Sequence, residues 1–238
     1  MDESELMNQT INQYQQLIAS YTGKLIREHF GKGPESAVVS IGSNYITVYI
    51  RNFLTPSERV LLEQNHEMII HQMRETLMQS MIPEFASYIE IVTGVKPHEF
   101  YYDWSMDNKS GMLVAICPEP IPGGQDVNDA YEGKAEIENE IVRISQQAQK
   151  APDELISFEI NPRKLIIIRN GILVRIEKEL IRLGHNELLK SVKRKMEKGY
   201  LHNNSSFESI LNKRVVDCFV DWNFNSDRSV ILLVMKAK

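Results

Sequence analysis

Two arginines sit where chemistry could start. Arg51 closes the apolar run Tyr45-Ile-Thr-Val-Tyr-Ile50 and Arg169 closes Leu165-Ile-Ile-Ile168, and an asparagine follows each. A guanidinium at the end of a strand can hold a carboxylate or another anion through two parallel hydrogen bonds. It can equally form an ion pair with an adjoining helix, and both readings stand at this point. Lys190, Lys193, Arg194 and Lys198, with Lys195 beside them, make a cationic run at helical spacing opposite Leu189, Val192 and Met196. Such a face is either solvated or docks on an acidic protein or an anionic membrane surface. Asp103-Trp104 and Asp221-Trp222 hold both tryptophans of the chain. Tryptophan on a strand reads as a core anchor, with the neighbouring aspartate turned to the opposite face.

Other chemistries lack their residues. His66 and His71 are five apart, whereas two histidines that share a metal on one helix face are four apart. His29, His98, His185 and His202 have no partner at ligand spacing, and Cys-x-x-Cys does not occur. There is no Gly-x-Ser-x-Gly around a nucleophile. Gly31-Lys-Gly33 follows a helical pattern rather than a strand, so it reads as a helix stop and not as a phosphate cradle. Cys117 and Cys218 lie in apolar runs and read as buried thiols. The sequence therefore predicts no catalytic residue, no cofactor and no metal site.

Charge narrows the partners. The net charge is −5, divided as −6 over residues 1–118 and +1 over 119–238. A pI near 5.8 argues against a nucleic-acid binder, which usually displays a basic domain. No run of about 18 apolar residues reads as a membrane span. The acidic opening Met-Asp-Glu-Ser-Glu is unlike a secretory signal, so a soluble, cytoplasmic protein is expected.

The elements that must position these residues occur twice. Pro34 and Pro152, Arg51 and Arg169, and Asp103-Trp104 and Asp221-Trp222 each differ by 118 positions. The segment Pro118-Glu-Pro-Ile-Pro-Gly-Gly-Gln-Asp126 can continue neither helix nor strand. It divides the chain into repeat one over 1–118, a linker over 119–127 and repeat two over 128–238. Ile11, Tyr14, Ile18, Tyr21 and Leu25 predict an opening helix in the first copy, and Ile137, Ile141, Ile144 and Ala148 in the second. Two short strands follow, at 36–42 and 45–52 and again at 154–160 and 164–169. The unbroken Leu165-Ile-Ile-Ile168 reads as a strand buried on both faces. Thr55-Pro-Ser-Glu58 is a helix start. The helix should run to about Val92 with an interruption near Pro83, along the stripe Leu62, Ile69, Met73, Leu77. Its counterpart spans about Arg175 to Met196 with a break at Gly184-His-Asn186, and a short helix covers Phe207 to Leu211. Each copy closes on a hairpin, at 98–106 and 111–117 and at 215–224 and 229–236. The expected fold is α+β: two tandem α-β-β-α-β-β repeats, each a mostly antiparallel four-stranded sheet with helices on one face. The repeats are expected to pair within the chain about a pseudo-two-fold axis.

In this order the opening helix, Gly31-Lys-Gly-Pro34, the hairpin, Arg51, Leu54-Thr55-Pro-Ser-Glu58-Arg59 and Thr93-Gly94-Val95 resemble the MpsC-like (YbcI-like) family of bacterial proteins. The resemblance covers about residues 4–117. The second copy departs from it: Gln149-Lys-Ala-Pro152 replaces the glycine turn, and Leu173-Val-Arg-Ile176 replaces the Thr-Pro-Ser-Glu start. The resemblance implies a cytosolic accessory part of a sodium-translocating, membrane-potential-generating system of the kind tied to inorganic-carbon uptake. Its partner would be a protein, such as a membrane transport subunit. It carries over no catalytic residues.

Overall fold

The Thr55 start is realised with both of its reciprocal hydrogen bonds. In the computed structural model, which describes residues 3–202 and 204–236, the Thr55 N–H donates to Glu58 Oε2 at 2.7 Å and the Glu58 N–H donates to Thr55 Oγ1 at 3.3 Å. Repeat one runs α1 (Glu3–Phe30), β1 (Ser36–Gly42), β2 (Tyr45–Arg51), α2 (Pro56–Glu63), α3 (Glu67–Thr93), β3 (Glu99–Ser105) and β4 (Ser110–Ile116). Repeat two runs α4 (Lys134–Ala148), β5 (Glu154–Asn161), β6 (Lys164–Asn170), α5 (Arg175–Arg182), α6 (Asn186–His202), α7 (Ser206–Leu211), β7 (Val215–Asn223) and β8 (Arg228–Met235). The chain divides into two compact units, Met1–Asp126 and Val127–Lys238.

Each unit is an α+β module with one four-stranded sheet. The strand orders are β1-β2-β4-β3 and β5-β6-β8-β7, and every pairing of strands is antiparallel. Alternate residues of each strand build one core against the helices. In repeat one Ile46, Val48, Ile50, Trp104 and Leu113 meet Ile18, Leu25, Ile70, Met78 and Phe85. In repeat two Leu165, Ile167, Trp222 and Ile231 meet Ile137, Ile141, Leu201 and Phe207. Ile166 and Ile168 are buried too, so β6 is apolar on both faces, as its unbroken run predicted.

Two expectations are corrected. First, α3 passes through Pro83 without interruption. Proline frees the carbonyl four residues earlier, here that of Gln79, and both residues lie on the exposed side, where water can serve it. The break falls at Gln64–His66 instead, where Asn65 turns into positive φ at 60°. Second, the helix stripes are rotated. The stripe that α3 buries is Ile70, Arg74, Met78, Met81, Phe85 and Ile89, and Ile69 is exposed. The one that α6 buries is Leu189, Lys193, Glu197 and Leu201, while Val192 and Met196 face outward. The linker is anchored to the first repeat. The Ser43 N–H donates to the Gln125 carbonyl at 2.7 Å, the Ile121 N–H donates to the Ser43 carbonyl at 3.0 Å, and Ile121 is buried.

Both cysteines are free and buried. Burial, and secondarily the Glu119 charge, push the Cys117 thiol up to about 11. A thiol-labelling time course on the native protein should therefore be slow at both sites, with Cys218 ahead of Cys117. Denaturant should make both react at once. Fast native labelling of Cys117 would contradict its place in the core.

Candidate functional site

The two arginines that open the argument do not occupy equivalent positions. In repeat one Ser36 pairs with Arg51, whereas in repeat two Glu154 pairs with Asn170. The counterpart of Arg51 is thus Asn170, and the counterpart of Arg169 is Ile50. The cause is a bulge in β5 between Glu159 and Asn161. It inserts one residue, so the repeat offset becomes 119 from β6 onward into the helices and returns to 118 at Trp104 and Trp222. A one-residue slip in a strand turns each side chain to the other face. Arg51 is accordingly exposed, on the face away from the helices. Arg169 points into the helix-side core and has no exposed surface.

Each guanidinium nitrogen of Arg169 finds a partner within its own unit. Nε donates to Ser229 Oγ at 2.8 Å, Nη1 to Ser145 Oγ at 2.9 Å and Nη2 to Glu197 Oε2 at 2.7 Å. The ion pair with an adjoining helix, one of the two readings of the sequence, is its geometry. Lys193 stands beside it, also buried. Its ammonium lies 3.0 Å from Glu177 Oε1 and 3.1 Å from Glu197 Oε1, donates to Gln149 Oε1, and sits 5.7 Å from the centre of the Trp222 ring. Burial alone would push the Glu197 carboxyl up. The Arg169 and Lys193 charges and hydrogen bonds outweigh burial and hold it below the usual carboxylate value.

Repeat one carries a smaller form of the same device. Arg74 Nε donates to Glu58 Oε1 at 2.7 Å and Nη2 to Glu58 Oε2 at 2.9 Å, a two-pronged pair with both side chains buried. The guanidinium lies 4.9 Å from the Phe53 ring centre and 4.4 Å from that of Trp104. Glu58 also completes the α2 cap, so one carboxylate joins the start of α2 to Arg74 on α3. Its pKa is pushed up by burial and pulled down further by Arg74 and by the Thr55 donors, ending below the ordinary value. Glu177 and Lys193 stand 119 positions after Glu58 and Arg74, and within each pair the separation is sixteen residues. Val174 has no side-chain acceptor where Thr55 has one, so repeat two keeps only the Glu177 half of the cap, at 2.9 Å from the Val174 N–H.

The sequence pointed at neither pair. Glu58 read only as a cap, and Lys193 read as part of a solvated or docking face. A usable signal was present: in both copies a cation stands sixteen residues after the cap glutamate and four residues after an apolar one, Ile70 or Leu189. The other members of the cationic run also turn partly inward. Lys190 pairs with Asp221 at 2.9 Å, Arg194 is partly buried, and Lys198 lies 6.0 Å from the Phe219 ring centre. Of this run, Lys195 is the exposed one. The apolar edge assigned to the core, Val192 and Met196, is what α6 shows to solvent.

Chemically, these clusters lock helices to sheets. Their carboxylates are held ionised with donors on several sides. Among the described residues no group of three His, Cys, Asp or Glu side chains is arranged to hold a metal ion, and no helix is long and apolar enough to cross a membrane. A depression of about 300 Å³ beside α7 is lined by His202, Asn204, Glu208 and Asp217 among others, away from both buried pairs.

The doubled module is also what comparison with known families finds. The model of the family described as "Na+-translocating membrane potential-generating system (MpsC)" matches residues 10–119 and again 131–237. The chain belongs to the MpsC family. Both halves are copies of the MpsC module, so the diverged second copy, which lacks the glycine turn and the Thr-Pro-Ser-Glu start, is still recognised as one. No curated protein and no solved structure matches the chain.

Lys164, the first residue of β6, is a buried cation of another kind. Burial pushes its pKa down to about 7. The unfolded chain holds this proton to near 10.4, so between about 7 and 10 it binds more protons than the folded chain. Folding stability should therefore rise with pH across that window, by up to about 1.4 kcal/mol per pH unit. Urea midpoints measured at pH 7, 8 and 9 should show the slope in the native protein, and Lys164→Met should flatten it and raise the pH 7 midpoint. An unchanged slope in the variant would place the titration elsewhere.

Proposed function

We propose that this protein is a non-enzymatic, cytoplasmic accessory protein of a membrane ion- or bicarbonate-transport system, acting by protein–protein contact. The observation that carries the reading is the family match over both repeats, to a family described by a sodium-translocating, membrane-potential-generating system. The internal chemistry fits it. The most strongly engaged titratable groups, Glu58, Arg74, Arg169, Lys193 and Glu197, are spent on holding elements together rather than gathered around an open cleft. Arg169 has no surface to offer an anion, so an anion-sensing role would rest on Arg51 alone.

Two measurements in the native cell test this together. Deleting the gene should lower the sodium-dependent component of the membrane potential. Affinity capture from detergent-solubilised membranes should co-purify an ion-translocating membrane subunit. An unchanged potential, with only soluble proteins captured, would sink the reading.

A further inference from the structure

The second helix pair of each repeat keeps an apolar stripe that its core does not use. In repeat one the stripe is the exposed Ile69 followed by the half-buried Met73 and Leu77, and Val60 on α2 and Met68 on α3 are exposed as well. In repeat two it is Leu188, Val192 and Met196, continued by Tyr200. Leu188, Val192 and Met196 stand 119 positions after Ile69, Met73 and Leu77, the offset that also relates Glu58–Arg74 to Glu177–Lys193, whereas the counterpart of Tyr200 is the buried Met81. It is the same helix face, shown twice. Ile69 is 47% exposed, and Leu188, Val192 and Met196 are 59%, 47% and 42% exposed. Single exposed apolar residues are ordinary, but a row at i, i+4, i+8 on one helix is the form of a helix-packing seam.

The two copies of this face carry opposite charge. Counted over exposed side chains alone, residues 56–93 hold Arg59 against Glu63, Glu67, Glu84 and Glu90, whereas residues 175–202 hold Arg175, Lys178, Arg182 and Lys195 against Glu179 and Glu187. Glu63 and Glu67 are exposed at the start of the first stripe, and Arg175 and Lys195 are exposed around the second. Two faces descended from one module share the spacing of their apolar rows, so the rows of one can seat between those of the other. Like faces repel one another and unlike faces attract, which selects between pairings that shape alone would allow.

We propose that the α2–α3 face of one copy docks on the α5–α6 face of a second copy of this chain, head to tail. The contact is heterologous, so each docking leaves one face of each kind unmatched. Association then grows with concentration or closes into a ring. The 17-residue α6 is only about 25 Å long, which places the contact at the small end of protein interfaces. Binding in the micromolar range, strongly weakened by salt, is what such a contact gives.

Sedimentation velocity of the full chain decides the matter. At about 50 mM salt the weight-average mass should climb above the 27.5 kDa monomer between about 5 and 200 µM. At about 0.5 M salt the apparent dissociation constant should rise at least tenfold. Glu63→Lys with Glu67→Lys, and separately Arg175→Glu with Lys195→Glu, should each remain monomeric while keeping the native circular dichroism spectrum. Mixed one to one, the two variants should regain assembly, because each then meets a face of opposite sign. Val192→Asp should abolish assembly in the native charge background. A native chain that stays monomeric at 200 µM overturns the proposal, and so does a mixture that fails to reassemble. The proposal is equally overturned if the monomeric native chain instead binds vesicles of anionic phospholipid and Val192→Asp abolishes that binding.

Discussion

Glu197→Met should lower the stability of repeat two by about 3–5 kcal/mol, and adding Arg169→Ile should recover most of the loss. The single substitution leaves the Arg169 guanidinium buried against the Ser145 and Ser229 hydroxyls, without Glu197, its carboxylate partner at 2.7 Å. An uncompensated buried charge is among the most costly defects a core can carry. Lys193 suffers less, because Glu177 at 3.0 Å and Gln149 remain. The double variant installs what repeat one already has, for the counterparts of Arg169 and Glu197 are Ile50 and Met78, both buried in the first core. Exchanging a buried ion pair for packed apolar side chains is often neutral or favourable by about 1–4 kcal/mol. A residual cost near 1 kcal/mol is expected from Ser229, whose hydroxyl loses the Nε donor. Ser145 is spared, because its hydroxyl also donates to the Ile141 carbonyl. Each repeat holds one tryptophan, so urea unfolding followed by Trp222 in a Trp104→Phe background reports on repeat two. If the double variant is as unstable as the single, the pair is not a replacement for the apolar contact of repeat one.

What could be read from the sequence was what local chemistry decides. The Thr55 cap, the Gly31 helix stop with φ at 72°, the Ser43-Asn44 hairpin and the break before α6 all depend on neighbouring residues, and all were legible. What failed depended on a distant partner. The stripes of α3 and α6 were misplaced because the residues that mark the buried positions, Arg74, Lys193 and Glu197, are charged. Only their partners Glu58, Glu177 and Arg169 make those positions habitable. An apolar-periodicity argument must pass over them and settle on the adjacent rows, 69/73/77 and 189/192/196. The β5 bulge was invisible for another reason. A single inserted residue leaves the strand pattern intact and shifts only the register, so the two Arg-Asn pairs looked equivalent while lying on opposite faces. Pro83 misled in the opposite sense: proline breaks a helix where the freed carbonyl is buried, and Gln79 is exposed.

Glu58→Ala should lower the stability of repeat one by about 3–5 kcal/mol, with the acid response of that repeat changed in a defined direction. The carboxylate accepts from Arg74 twice and from the Thr55 N–H, so its removal strands a buried cation and opens the α2 cap together. The rings of Phe53 and Trp104 offer Arg74 a favourable surface, and the Phe53 carbonyl, 3.4 Å from Nη2, remains as a long, uncharged acceptor. Glu58→Gln separates the two losses. The amide keeps one acceptor for the cap and lacks the charge, so about half of the penalty should remain. The pH dependence follows from the sign of the shift. The folded-state pKa of Glu58 lies below its unfolded value. Its contribution is complete above the ordinary carboxylate pKa of about 4.3 and is lost as pH falls through the lower folded value. Urea midpoints followed by Trp104 in a Trp222→Phe background should therefore fall steeply with acid in the native chain and less steeply in Glu58→Gln. The two curves should converge at the lowest pH, where the native carboxyl is protonated as well. Parallel curves, or a Glu58→Gln midpoint equal to the native one at pH 7, would remove Glu58 from the centre of this core.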